Sequence, residues 1–151
     1  MRLTVKPGTD APRAVAVTRH PRTRVALIAL FATAGVLHFL TPHRFTGIVP
    51  PWMPSADLLV AVSGAAELAG AVGLAWAPSR RWAGMGLIAL LVAVFPANIQ
   101  MLIVARHAST PRWWQILLWL RLLLQPALIG LVWRAVEMNK QTRRVGDRVR
   151  Q

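Results

Sequence analysis

The sequence predicts an all-α protein, an integral-membrane four-helix bundle with both termini in the cytoplasm, and three observations carry that prediction. Of the 151 residues 55% are hydrophobic and the mean hydropathy is +0.45, which is more apolar surface than a soluble chain of this length has the volume to bury. The apolar residues fall into four runs of bilayer-spanning length, at about 24–41, 57–77, 82–105 and 113–133. The 18 Lys and Arg, which give a formal net charge of +13, gather in two tails and one turn instead of spreading over a surface.

Residues 1–22 carry Arg2, Lys6, Arg13, Arg19 and Arg22 among three prolines and show no helical periodicity, so they read as a basic, disordered tail. A bundle domain over 23–136 follows. Its first span ends near His38, and Ala32-Thr33-Ala34 within it imitates a signal-peptide cleavage site. The long basic leader and the apolar run continuing to Leu40 favour a span instead. Between Thr41 and Ala56 four prolines prevent a continuous helix, while Phe45, Ile48, Val49, Trp52 and Met53 keep the loop greasy enough to lie at headgroup level or over the mouth of the bundle.

The second span begins at Ser55 or Asp57 and ends near Pro78, where Arg80 and Arg81 form a basic turn. The third contains Pro96, which should bend the helix by excluding the bond to the Val92 carbonyl. The fourth contains Arg121, Gln125 and Pro126, and residues 137–151 form a second basic tail. Placing both tails and the Arg80-Arg81 turn inside leaves only Arg44, Arg106 and Arg112 outside, with Arg121 in the membrane. Trp52, Trp113 and Trp114 then mark the outer interface and Trp76, Trp82 and Trp133 the inner one. The tails read as topology signals, with contact to anionic lipid the alternative; nucleic acid is not the expected partner.

Each span sends a polar group into the outer half of the membrane. At a rise of about 1.5 Å per residue, Glu67 lies roughly 15 Å below the outer end of its span, Arg121 roughly 12 Å, Asn98 roughly 10 Å, Gln125 roughly 18 Å and His38 roughly 5 Å. Glu67 sits among Ser63, Gly64, Gly70 and Ala71, a face of small residues that admits another backbone, so it points into protein. An unpaired charge in hydrocarbon costs about 2.5–3.5 kcal/mol on insertion scales, and the expectation is therefore a Glu67–Arg121 ion pair supported by Asn98 and Gln125, with His38 at the outer mouth.

Such a pair either belongs to a binding or redox site or only fixes which helix packs against which. No second in-membrane histidine completes a bis-histidine haem site, and no metal site, P-loop, dinucleotide motif or catalytic triad is present in the sequence. The absence of cysteine excludes disulfides and thiol chemistry by this chain, so a redox role requires a bound cofactor or a partner.

Five separated motifs, His38-Phe39, Ile48-Val49-Pro50-Pro51-Trp52-Met53-Pro54, Ser63-Gly64-x-x-Glu67-x-x-Gly70, Phe95-Pro96-Ala97-Asn98 and Arg121-Leu122-x-Leu124-Gln125, occur in an order that resembles the DoxX family of small four-span membrane proteins. The resemblance covers about residues 24–135. It departs at Leu123, where that family often has proline; here Pro126 follows three residues later. The resemblance implies a four-helix bundle in the bacterial cytoplasmic membrane and an accessory role in quinone-linked or other membrane redox chemistry, with an extrinsic or membrane redox protein as partner. On that reading His38, Glu67, Asn98, Arg121 and Gln125 hold a quinone head group or another small polar ligand, Arg121 and Asn98 donating hydrogen bonds and Glu67 accepting or passing a proton. The alternative is a non-enzymatic protein that binds a partner or moves a small solute, its ion pair purely structural.

Overall fold

The computed structural model describes residues 21–108 and 110–149, and the basic tail expected at the N-terminus lies outside the described residues except for its last two positions. Every regular element among the described residues is a helix: α1 (Pro21–Leu40), α2 (Pro42–Thr46), α3 (Ala56–Ala75), α4 (Arg80–Ala93), α5 (Phe95–His107) and α6 (Arg112–Val149). Four helical stretches are long and apolar enough to cross a membrane, Arg22–Leu40, Ala56–Ala75, Arg80–His107 and Arg112–Val136. Their outward faces carry Leu58, Val72, Trp82, Val92, Ile116 and Leu123, all exposed.

Proline shapes two of these elements and leaves a third intact. Pro96 falls in the first turn of α5, so the third span breaks at Val94 into α4 and α5, as its missing N–H and its ring dictate. Pro42 stands in the first turn of α2, where a missing N–H costs nothing, and the expected loop therefore contains a short helix. Pro126 lies inside α6 without ending it, and α6 continues past the expected end of the fourth span to Val149. Ser55 precedes α3 with a left-handed backbone (φ 48°) and no side-chain capping bond, so it redirects the chain out of the Pro-rich loop instead of acting as an N-cap.

The turn between α3 and α4 is tied down by its own polar groups. Ser79 Oγ donates to the Gly73 carbonyl at 2.9 Å, and Arg80 Nε donates to the Leu74 carbonyl at 3.1 Å. A cation on the last carbonyls of a helix also meets the negative end of its dipole, so Arg80 closes α3 besides carrying charge. At the other end of the bundle Thr110 Oγ1 donates to the Ala105 carbonyl at 2.9 Å and Gln115 Nε2 to the Thr110 carbonyl at 3.0 Å, linking α5 to α6.

Packing divides the bundle along its length. Near the α3–α4 turn one apolar core joins all four spans through Leu27, Phe31, Leu74, Leu87, Leu91 and Val132. Toward the Pro-rich loop a second, smaller core of Leu102, Ala105 and Leu118 joins only α5 and α6. α1 and α3 pack closely on each other, α3 on α4, and α5 on α6, but among the described residues no Cα of α5 comes within 8 Å of one in α3. The break at Val94 thus turns α5 away from α3 and onto α6, and the half of the bundle beneath the Pro-rich loop is left open between the two pairs.

Candidate functional site

The α1–α3 contact fixes the first two side chains of the site. A Cβ on Gly35 would stand 2.9 Å from the Gly64 carbonyl oxygen, and one on Gly64 only 2.7 Å from His38 Cβ, so at this crossing backbone lies on backbone. His38 is one turn beyond Gly35 and Glu67 one turn beyond Gly64. The His38 ring folds back along its own helix, Nδ1 lying 2.8 Å from the Ala34 carbonyl oxygen and 3.1 Å from Glu67 Oε2. A carbonyl only accepts, so Nδ1 carries the proton and directs it at Ala34. Oε2 is then an electrostatic neighbour of the ring without a hydrogen bond, and it is sealed from solvent. Phe45 of α2 stacks on the imidazole with centroids 3.9 Å apart, which fixes the ring from its other side.

The remaining two helices supply an amide pair and a guanidinium. Gln125, buried on α6, donates through Nε2 to the Leu91 carbonyl beside the helix break and accepts at Oε1 from Asn98 Nδ2 at 2.7 Å. The orientations are determined by inventory: a carbonyl can take only the Gln125 N–H, so Gln125 turns its oxygen to Asn98, and Asn98 must answer with nitrogen. Arg121, one turn before Gln125, lies with Nη1 3.8 Å from Met101 Sδ, a weak acceptor.

These side chains converge on a cavity of about 220 Å³ between α3 and the α5–α6 pair, roofed by residues of the Pro-rich loop such as Ile48 and Met53. His38, Glu67, Asn98 and Arg121 line it, and Gln125 stands behind it as the clamp on Asn98 and the helix break. Val62 of α3 lines it and is exposed, so the cavity is open to the surface of the bundle beside that residue. Four of the five residues singled out by the sequence therefore share one wall-to-wall space.

The expected Glu67–Arg121 ion pair is not formed. The two groups face each other across the cavity within electrostatic reach, but the close neighbour of Glu67 is the His38 imidazole, and that of Arg121 is a thioether. His38 correspondingly sits against the acid instead of closing the outer mouth. At the bend the Leu91 carbonyl takes the N–H of Gln125. Sequence reasoning also missed Ser63, a buried cavity-lining hydroxyl that donates to the Val60 carbonyl at 3.0 Å, and Phe45; the first was legible in the Ser63-x-x-x-Glu67 spacing, which places both on one helix face.

The fold and the site define a small helical bundle with four membrane-length spans and a polar-walled cavity in one half. The chain belongs to the family described as Domain of unknown function (DUF8561), whose model matches residues 27–136. The match runs from Leu27, a core residue of α1, to Val136, a buried residue of α6, and includes all five site residues. No curated protein and no solved structure matches the chain.

Proposed function

We propose that the protein is a multi-pass component of the bacterial cytoplasmic membrane, both termini inside, that binds the head group of a membrane-soluble quinone as an accessory to a redox system. The observation carrying this reading is that acid, imidazole, amide and guanidinium from four helices line one cavity, with no ion pair within 4.0 Å between Glu67 and Arg121. Groups kept only for helix registration would be expected to satisfy each other, because unpaired polarity in hydrocarbon is costly. The cavity is below the roughly 300–1,000 Å³ typical of drug-sized ligands, which suits a head group whose apolar tail stays outside. The apolar, exposed Val62 at its edge favours a ligand with an apolar tail over a water-soluble solute. The resemblance of the five motifs to the DoxX family adds the redox association, and the charge bias of the flanks supports the orientation.

The test is binding of a decyl-substituted benzoquinone, oxidised and reduced, to purified protein in nanodiscs, read by tryptophan fluorescence and thermal shift. Stabilisation by either form that is lost in Glu67→Ala and Arg121→Ala supports the proposal. Loss of stability in those variants with no response of the wild type to either form overturns it in favour of a structural or partner-binding role.

A further inference from the structure

The hydrogen-bond inventory of the cavity specifies which form of such a ligand it takes, an inference that rests on the quinone reading above. Neither carboxyl oxygen of Glu67 accepts a hydrogen bond among the described residues: Oε2 is sealed beside an imidazole N–H committed to Ala34, and Oε1 has no partner either. Asn98 spends one N–H on Gln125, an arrangement enforced by the Leu91 carbonyl behind it, and its Oδ1 accepts nothing among the described residues. With Glu67 ionised, the α3 wall therefore presents the unsealed Oε1 as an acceptor and the α5 wall presents Asn98 Oδ1. The donors not already committed are those of Arg121, on the α6 wall, together with the second N–H of Asn98.

We infer that the cavity selects a ligand carrying a hydroxyl donor toward Glu67 and an oxygen acceptor toward Arg121, and so binds the quinol in preference to the quinone. A quinone offers only carbonyl acceptors, which Arg121 can serve but which would face the oxygens of Glu67 and Asn98 without a hydrogen between them. A quinol offers the same oxygens and two O–H donors. Its hydroxyl supplies the hydrogen that the carboxylate lacks, and a charge-assisted bond of that kind is among the stronger ones available in an apolar cavity. The guanidinium serves both forms alike, so discrimination resides in Glu67 and, secondarily, in Asn98. A site that must reject a ligand lacking a hydrogen-bonding partner does so strongly, because its own polar groups are left unpaired.

The experiment is a pair of anaerobic titrations of the wild-type protein in nanodiscs with a fully ring-substituted decyl benzoquinol and the matching benzoquinone, repeated with Glu67→Gln. The expected result is quinol bound at least about tenfold more tightly than quinone, the difference that one charge-assisted hydrogen bond makes. In Glu67→Gln, whose amide adds a donor and removes the carboxylate, the preference should shrink or reverse. Equal affinities in the wild type, or a preference for the quinone, overturn this inference while leaving the quinone reading standing. Retention of the full preference in Glu67→Gln overturns the assignment to Glu67. Binding of neither form overturns both.

Discussion

Replacing Gln125 by leucine tests the joint that holds the cavity open. Leucine keeps most of the side-chain volume in a position that is only 6% exposed, so packing changes little while both hydrogen bonds are lost. Interhelical side-chain hydrogen bonds in membrane proteins average about 0.6 kcal/mol, so the two bonds alone account for about 1.2 kcal/mol. The carbonyl of buried Leu91 beside the break is then left with one partner fewer, at a cost of about 1 kcal/mol or more, whereas Asn98 lines the cavity and can turn to another partner. The expected loss for Gln125→Leu is therefore about 2 kcal/mol. It is measured by reversible unfolding in mixed micelles with rising SDS, together with Asn98→Leu and the double variant. The double variant should cost less than the sum of the singles by about 0.6 kcal/mol or more, the coupling of the Asn98–Gln125 bond. A Gln125→Leu variant within about 0.5 kcal/mol of wild type, or strict additivity, would refute the claim that this amide pair braces the broken third span.

Three further outcomes follow from the same geometry. Gly64→Ala should destabilise by about 1–3 kcal/mol, because the new methyl meets His38 Cβ and the Gly35 carbonyl, neither of which can swing aside; Gly86→Ala, which meets nothing within 4 Å, should be neutral or gain up to about 1 kcal/mol of helix propensity, and equal effects in one unfolding assay would contradict the close α1–α3 crossing. Arg121→Met should change stability little, since no ion pair within 4.0 Å is lost and the relieved desolvation of the guanidinium offsets its attraction to Glu67 across the cavity, while quinol affinity falls at least about tenfold; a clear loss of stability would restore the purely structural reading. The protein should stay in the membrane pellet through alkaline carbonate and come free only in detergent, and release by carbonate would remove the membrane assignment.

The four spans were legible because apolar runs of about 20 residues have one stable context, and Pro96 announced its own break. The choice of polar residues was legible too: an acid, an amide and a guanidinium at similar depth have to be enclosed by protein. What depth along each helix does not contain is azimuth and side-chain direction. His38, judged about two turns shallower than Glu67, reaches it because its ring runs back toward the start of α1 and because Gly35 and Gly64 bring the two backbones together. Charge and level alone match Arg121 to Glu67, but the break at Val94 swings α5 and α6 off α3 and opens a gap between them. The helix in the Pro-rich loop and the length of α6 were hidden for another reason. Proline in a first turn looks like a breaker in the sequence, and the basic segment after Arg134 was read for its charge, not its propensity.

Since the chain has no cysteine, Ser63→Cys provides a single thiol at a buried position on the wall of the cavity, beside Glu67 on α3. Its alkylation rate in nanodiscs, with and without a saturating fully substituted decyl benzoquinol, measures whether that wall is reachable and whether a head group covers it. The geometry described here requires a thiol that reacts with a small alkylating reagent and is slowed by the quinol on the order of tenfold or more, in proportion to occupancy. A thiol that never reacts, or one that reacts at the same rate whether or not the quinol is present, would mean that the space between α3 and the α5–α6 pair receives no ligand.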